Sequence, residues 1–234
     1  GNPENQEIMG EFAECLEGIK EACNFLNYPV VSGNVSFYNG TNKKNIYPTP
    51  VIGGVGLIKK LSKPISHNFK KTNSTIIVIG KTFGHIEQSC FLKENYSIID
   101  GMPPEINLLN EKNNGESLFK LIDKNLVLSA HDISNGGLIT ALSEMTLTTD
   151  FGAKIRKPKN LTNLSKYFFG EDQARYIVEI ETKKLPVVEK VLKESNIYYE
   201  NIGFTQANYF EIEGELKIST KDLFKINNQW YKNY

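Results

Sequence analysis

Residues 29–39 have the sequence Pro29-Val30-Val31-Ser32-Gly33-Asn34-Val35-Ser36-Phe37-Tyr38-Asn39, which is the pattern of a half-buried strand. Because the side chains of a strand alternate between its faces, polar residues share one face and apolar residues the other: Ser32, Asn34, Ser36 and Tyr38 against Val31, Val35 and Phe37. Gly33 has no Cβ, so a phosphate or a neighbouring backbone could approach closely. The pattern suits a site for a phosphate and a hard metal ion. An ordinary half-buried strand with a bulge at Gly33-Asn34 explains the same residues.

Composition and charge narrow the classes of function. The chain has 234 residues, enough for one large domain or two small ones. Its 27 Lys and Arg balance its 27 Asp and Glu, which argues against a nucleic-acid or anionic-membrane partner. No window approaches the roughly 18 apolar residues of a membrane span, and no leader is visible. The three cysteines, Cys15, Cys23 and Cys90, show no metal-ligand spacing. We therefore expect a cytoplasmic protein with buried, reduced thiols.

The spacing of apolar residues predicts helices and strands in alternation. Helices are predicted over 4–27, 86–94, 104–122, 136–148 and 184–195, and from 220 onward. Strands are predicted over 30–38, 51–58, 74–80, 126–130, 152–156, 174–180, 198–204, 208–212 and 215–218. Residues 39–45 are predicted to form a polar loop and 61–73 a linker. The mixture favours an α+β or mixed α/β fold. The unit before the linker has too few elements to bury its own faces.

A second polar segment, Ser129-Ala130-His131-Asp132-Ile133-Ser134-Asn135-Gly136-Gly137-Leu138, lies where a predicted strand meets a predicted helix. The free N–H groups and the dipole of a helix N-terminus favour an anion there, and Asp132 could hold a cation. A capped turn, with Ser134 or Asn135 as the N-cap, accounts for the segment equally well. His131 could be a general base, but hydrogen-bonded scaffolding is the commoner role for such a histidine.

A third segment, Phe169-Gly170-Glu171-Asp172-Gln173-Ala174-Arg175, precedes an apolar strand. Its acceptor-rich side chains could hydrogen-bond a polar ligand. From the residues alone, a solvated acidic turn is the favoured interpretation.

Five segments in order resemble the large, PurL-type synthetase subunit of phosphoribosylformylglycinamidine synthases: Gly1–Asn5, Pro29–Asn39, Tyr47–Leu57, Ser129–Leu138 and Phe169–Arg175. They span nearly the whole chain. The resemblance implies an AIR synthetase-like fold and a C-terminal part of that subunit. Residues 1–63 would be the back half of the second N-terminal-type, barrel-forming domain, and residues 64–234 a complete C-terminal-type α/β sandwich domain.

The resemblance also implies a function, that of an ATP-dependent carbon–nitrogen ligase of de novo purine biosynthesis. In this family, ATP phosphorylates the amide oxygen of formylglycinamide ribonucleotide, and ammonia then displaces phosphate to leave the amidine. The implied cofactors are ATP and Mg²⁺. The implied partners are a glutaminase subunit that delivers ammonia, a small accessory subunit, and the remaining N-terminal part of the same subunit.

Residue by residue, Gly33 resembles a position that contacts ATP, Asn34 a magnesium ligand and Ser36 a substrate contact. The family's catalytic histidine and other magnesium ligands belong to an earlier part of the subunit, so this chain alone is predicted to be inactive. Positions Asp132, Glu171 and Gln173 match a duplicate site that is expected to be structural. Where relatives often have Leu-Gly-Gly-Ser, this chain has Ile86-Glu87-Gln88-Ser89, which puts close phosphate approach in doubt there.

Two other classes of function stay open. The chain could belong to another enzyme of the superfamily, such as aminoimidazole ribonucleotide synthetase or a hydrogenase-maturation dehydratase. The Ser-Gly-Asn-Val-Ser run joined to Pro-Thr-Pro-Val-Ile-Gly argues against those enzymes. It could also be a non-catalytic assembly module that docks through exposed strand edges.

Overall fold

A computed structural model describes residues 1–42, 44–57, 64–158 and 163–232. The chain divides into two compact units, residues 1–62 and 63–234. Within the described ranges, no helix combines the length and the apolar character needed to cross a lipid bilayer. The three cysteines are free thiols, as expected, but they are half-buried rather than buried.

The first unit contains one long helix and a short hairpin. Helix α1 spans Gln6–Leu26 and is capped by Asn5, whose side chain accepts the Glu7 N–H at 2.9 Å. The helix ends at Asn27, which has a left-handed backbone. Strands β1 (Gly40–Thr41) and β2 (Lys44–Asn45) pair antiparallel. The predicted helix is confirmed, whereas the predicted loop over 39–45 was wrong, because residues 40–41 and 44–45 pair as strands; residue 43 lies outside the described residues.

The two strands predicted for this unit, over 30–38 and 51–58, were also wrong. Residues 28–37 run without a turn or bend, as an extended chain does, but they pair with no strand among the described residues, and neither do residues 46–57. Position 58 lies outside the described residues. A strand requires a hydrogen-bonded neighbour, and β1 and β2 pair only with each other. The predicted apolar face is therefore exposed, with Val31 at 87% and Val51 at 92%.

The second unit is built on a seven-stranded sheet. Its strands are β3 (Thr75–Ile79), β4 (Ser129–Asp132), β5 (Phe151–Ile155), β6 (Tyr176–Ile180), β7 (Tyr199–Ala207), β8 (Tyr209–Ile212) and β9 (Leu216–Ser219). The strand order is β4-β6-β3-β7-β5-β8-β9. Neighbouring strands are antiparallel except β5 and β8, which are parallel. This sheet confirms the predicted mixed α/β class.

Among the described residues, six helices accompany the sheet: α2 (Cys90–Tyr96), α3 (Leu108–Asp123), α4 (Gly137–Glu144), α5 (Leu164–Phe169), α6 (Leu185–Glu194) and α7 (Thr220–Lys232). A 3₁₀ turn, Thr182–Lys184, precedes α6. The predicted elements are present, although their ends shift, as at α3, which begins at Leu108 instead of residue 104. Helix α5 was not predicted, because six residues are too few to show a helical period.

Helices cover both faces of the sheet. Along β3, Ile76 and Val78 pack in one core with residues of α4 and α5, whereas Ile77 and Ile79 pack in a second core with residues of α3 and α6. The strands are therefore apolar on both faces, which is the expected pattern for a sheet between two helical layers. The unit is an α/β sandwich, as the resemblance implied.

A buried carboxylate fastens the start of the sandwich to its sheet. Glu179 on β6 is fully buried. Its carboxylate accepts the backbone N–H groups of Lys70 at 2.9 Å and Lys71 at 3.4 Å, and the Ser129 hydroxyl at 2.8 Å. Burial raises the pKa of Glu179 above its usual value of 4.5, although these hydrogen bonds oppose the shift.

Glu179→Gln is expected to change how stability depends on pH. A carboxyl group whose pKa is raised on folding stabilises the folded state below its unfolded pKa and loses that contribution as the pH rises through the folded pKa. From about pH 4.5 upward, the free energy of unfolding of the wild type should therefore fall relative to that of Glu179→Gln, by about 1.4 kcal/mol per unit of pKa shift. Denaturant unfolding at a series of pH values measures this difference.

Glu181→Gln is the control with the opposite sign, because Lys183 lowers the pKa of Glu181. Parallel pH profiles for the wild type and Glu179→Gln would refute the prediction.

Candidate functional site

The segment singled out by the sequence presents its polar groups openly. Gly33, Asn34 and Ser36 are all exposed. A Cβ placed on Gly33 would meet no atom within 4 Å, so the space beside this residue is free. The one hydrogen bond that the described residues make to these three is from the Asn39 amide to the carbonyl of Ser36, at 3.2 Å. Within the described residues, the Asn34 amide and the Ser36 hydroxyl are available to a ligand.

The apolar side of this segment is anchored at one point. The Phe37 ring packs edge-on against Phe12 of α1, with the ring centroids 5.4 Å apart and the planes at 79°. Side chains that follow one another in an extended chain point to opposite sides, so an extended backbone at this point would turn the Ser36 side chain away from α1. Among the described residues, no strand pairing holds the segment in that conformation.

This segment could supply one ligand to a hard cation, but not a complete set of ligands. Mg²⁺ takes oxygen ligands, and the exposed amide oxygen of Asn34 is suitable. In the described part of the chain, no group of three or more His, Cys, Asp or Glu side chains could hold a metal ion. Asn34 could contribute one ligand, and the others must come from elsewhere.

The second candidate site lies in the sandwich, where β3 and β4 end and β6 begins. The antiparallel pairing of β6 with both strands brings these ends to one edge of the sheet. Asp172 organises this edge. Its carboxylate accepts the backbone N–H groups of Phe83 at 3.0 Å, Gly84 at 2.8 Å and His85 at 3.0 Å.

Arg175 completes this frame from a fully buried position. Its guanidinium donates to the carbonyl of Gly170 at 2.6 Å, the carbonyl of Asp172 at 3.1 Å and the hydroxyl of Thr82 at 3.2 Å. Burial lowers the pKa of Arg175, and the Asp172 carboxylate partly offsets this effect. The predicted solvated turn was therefore wrong for Asp172 and Arg175, which are structural. The sequence analysis did not predict this buried pair. The only feature of the sequence that indicates it is two opposite charges three residues apart, next to an apolar strand.

Glu171 occupies the place at which an anion was predicted. One oxygen of its carboxylate accepts the N–H of Cys90, the first residue of α2, and the N–H of Gly136, which precedes α4, both at 2.8 Å. Burial and the nearby Glu171 carboxylate raise the pKa of the Cys90 thiol. A protein side chain thus supplies the negative charge that these helix starts favour.

The turn into α4 depends on glycine packing rather than on a side-chain cap. The N-cap of α4 is Gly136, and no side-chain hydrogen bond caps this helix. The predicted capped turn, with Ser134 or Asn135 as the N-cap, was therefore wrong. Gly137 has a left-handed backbone with φ of 70°, and a Cβ there would lie 2.7 Å from the carbonyl oxygen of Gly170. Close packing against the Gly170 turn requires a residue without a side chain here.

The other members of the predicted duplicate site do not close around a ligand. Asp132 and Gln173 are exposed. His131 lies between two carboxylates, with Nδ1 3.1 Å from Asp132 and Nε2 3.0 Å from Glu144. Because both ring nitrogens are engaged, the geometry favours the scaffolding role for His131.

The Ile86–Ser89 segment is filled by its own side chains. The Glu87 carboxylate accepts the Met102 N–H at 2.9 Å, and the Gln88 amide donates to the Gly101 carbonyl at 3.0 Å. Where an open glycine step would admit a phosphate, these two side chains fasten residues 100–102 to the segment.

Two family models match the chain. The C-terminal domain of AIR synthase related proteins matches residues 71–212, and the N-terminal domain of AIR synthase related proteins matches residues 1–58.

Curated relatives match over the whole length of this chain. Phosphoribosylformylglycinamidine synthase subunit PurL from Pelagibacter ubique (strain HTCC1062) is 47% identical over 234 residues, which are 100% of this chain and 32% of that protein. The subunit of the same name from Rhodopseudomonas palustris (strain BisB5) is 40% identical over 234 residues, again 100% of this chain and 32% of that protein. The chain therefore spans about a third of the length of these relatives.

Solved structures show the same fold. Thermotoga maritima PurL complexed with FGAR superposes with a TM-score of 0.55 and 13% identity, covering 68% of this chain and 29% of that one. The T. maritima PurL complexed with ATP gives a TM-score of 0.53 and 13% identity, covering 68% of this chain and 27% of that one.

Proposed function

The chain belongs to the AIR synthase related protein family, and on that premise we propose that it is a C-terminal part of the large synthetase subunit of phosphoribosylformylglycinamidine synthase. The observation that carries the proposal is the 47% identity to a subunit of that enzyme over all 234 residues. Residues 1–63 would then be the back half of a barrel-forming domain, and residues 64–234 its sandwich partner domain. The extended, unpaired residues 28–37 suit a segment that becomes a strand when neighbouring strands are supplied.

The proposed reaction joins a nitrogen to the amide carbon of the glycinamide group at the expense of ATP. The γ-phosphoryl group of ATP passes to the amide oxygen of formylglycinamide ribonucleotide, which releases ADP. Ammonia then forms the new C–N bond and phosphate leaves with the oxygen, giving the amidine. A glutaminase subunit would supply the ammonia, and a small accessory subunit and the N-terminal part of this subunit would complete the assembly.

In this proposal, Gly33, Asn34 and Ser36 form one wall of the reacting site. The free space beside Gly33 would admit the phosphates of ATP. The Asn34 amide oxygen would be one ligand of Mg²⁺, which neutralises charge on the transferring phosphoryl group. The Ser36 hydroxyl would bind the ribonucleotide. All three groups are exposed and face no competing partner among the described residues.

The sandwich edge would be a structural counterpart of this site. Glu171 already satisfies two helix starts, and Glu87 and Gln88 fill the step where relatives often have glycines. Both arrangements use protein groups where a nucleotide phosphate would otherwise bind. They support a framework role for this edge.

ADP release tests the proposal. The full-length subunit that contains this chain is expected to release ADP only when ATP, Mg²⁺, ammonia and formylglycinamide ribonucleotide are all present. The isolated 234-residue chain is expected to release none, because the acid–base and most metal-binding groups implied for the family lie outside it. Turnover by the isolated chain would refute the division of labour. A full-length protein without ribonucleotide-dependent ADP release would refute the function and favour an assembly module.

A further inference from the structure

Tyr38 ends the exposed Gly33–Ser36 segment with an uncommon backbone conformation. Its φ is 59°, in the left-handed region, and the chain bends here, whereas residues 28–37 contain no turn or bend. A bulky residue without a glycine's freedom rarely adopts this region. Such a conformation persists only where the surroundings hold it, and these sites cluster around ligands.

The surroundings of Tyr38 do hold it. Its backbone N–H donates to the carbonyl of Gly1 at 2.8 Å, and its hydroxyl lies 3.4 Å from a Glu4 carboxylate oxygen. The preceding residue, Phe37, packs on Phe12 of α1. The end of the segment is therefore tied to residues 1–12 by a backbone hydrogen bond, a longer polar contact and an aromatic contact.

The hairpin after Tyr38 returns to the same place. The Asn2 N–H donates to the Asn45 side chain at 3.2 Å, and the Ile46 N–H donates to the Asn39 carbonyl at 3.4 Å. The left-handed turn at Tyr38 directs the chain into this hairpin. A different conformation at Tyr38 would break these ties or rotate the residues before it.

We infer that Tyr38 is a positioning residue for the ribonucleotide, acting through its left-handed backbone to aim the Ser36 hydroxyl two residues earlier. This inference rests on the proposed function, which assigns Ser36 to the ribonucleotide. Rotation about the Tyr38 backbone turns the residues before it relative to the tied residues 39–46, so a change of φ at Tyr38 displaces Ser36. The backbone conformation is the active feature, and the tyrosine ring is dispensable.

The experiment measures ribonucleotide binding by the full-length subunit, with variants that separate backbone from side chain. Tyr38→Gly permits a positive φ, Tyr38→Ala disfavours it, and Tyr38→Val opposes it most strongly because its side chain is β-branched. Isothermal titration with formylglycinamide ribonucleotide, without ATP, is expected to give a Kd within about threefold of wild type for glycine. The Kd is expected to rise for alanine and to rise at least about tenfold for valine. The KM for the ribonucleotide should follow the same order, with a smaller change in kcat.

A matched control separates positioning from general strain. Asn42 in the hairpin turn has a similar φ of 52°, so Asn42→Val strains the backbone equally at another place. Its Kd is expected to equal that of wild type. If the valine variant of Tyr38 fails to fold, the comparison of glycine with alanine decides.

Three results would overturn the inference: binding unchanged in every variant, glycine as weak as alanine or valine, or Asn42→Val as weak as Tyr38→Val. In these cases the wild type still binds the ribonucleotide, so the proposed function survives. A wild-type subunit that does not bind the ribonucleotide at all would instead overturn the proposed function, and this inference with it.

Discussion

Asn34→Ala in the full-length subunit is expected to lower ATP-dependent turnover by at least about tenfold to a hundredfold, the range seen when even an outer partner of a metal site is lost. Asn34 is exposed, and within the described residues its side-chain amide forms no hydrogen bond. The Mg²⁺ concentration needed for half-maximal activity should therefore rise, while the thermal unfolding midpoint stays the same. Steady-state ADP release over a range of Mg²⁺ concentrations measures the effect.

The control for Asn34 is another exposed asparagine of the first unit. Asn24 lies on α1 and is also exposed. Asn24→Ala removes the same amide and should leave both turnover and Mg²⁺ dependence unchanged. Identical kinetics for Asn34→Ala and the wild type would count against a ligand role for Asn34.

Asp172→Ala is expected to destabilise the sandwich by about 3–5 kcal/mol, the usual cost of removing one partner of a buried ion pair. The substitution leaves the N–H groups of residues 83–85 without their acceptor and leaves the Arg175 guanidinium buried without its carboxylate. Each unsatisfied buried group adds to the cost. Denaturant unfolding of the 234-residue chain, followed by far-ultraviolet circular dichroism, measures the loss.

Asp123→Ala is the matched control, because Asp123 is an exposed aspartate at the end of α3. It should change the free energy of unfolding by no more than about 0.5 kcal/mol, as surface substitutions usually do. A loss below about 1 kcal/mol for Asp172→Ala would show that the frame around residue 172 is not what holds this edge.

The sandwich was largely predictable from sequence because its strands and helices bury their own apolar residues within one unit. The run Thr75–Ile79 is buried at every position, and such continuous apolar runs indicate a strand covered on both sides. Helix α6 was visible for a related reason, since Val188, Val191 and Leu192 recur at helical spacing and are buried.

The first unit was harder to predict, because alternation of side chains indicates an extended chain but says nothing about its partners. Residues 28–37 contain no turn or bend, but they pair with no strand in the described part of the chain. The sequence around β1 and β2 fits a polar loop as well as a hairpin, because Asn and Lys are common in both.

The two candidate sites also differ in how far the sequence predicted them. The roles proposed for Gly33, Asn34 and Ser36 came from the family resemblance, since their spacing alone favours an ordinary half-buried strand. The buried frame of Asp172 and Arg175 escaped prediction because burial of a charged pair depends on distant residues. The three N–H groups that Asp172 accepts come from 87 to 89 positions earlier in the chain.

A crystal structure of the full-length subunit with an ATP analogue, Mg²⁺ and formylglycinamide ribonucleotide would test the central claim most directly. We expect the amide oxygen of Asn34 to coordinate the cation and the hydroxyl of Ser36 to hydrogen-bond the ribonucleotide, with the phosphates passing beside Gly33. Both side chains turned into the protein interior, with the ligands bound at another surface, would contradict the account.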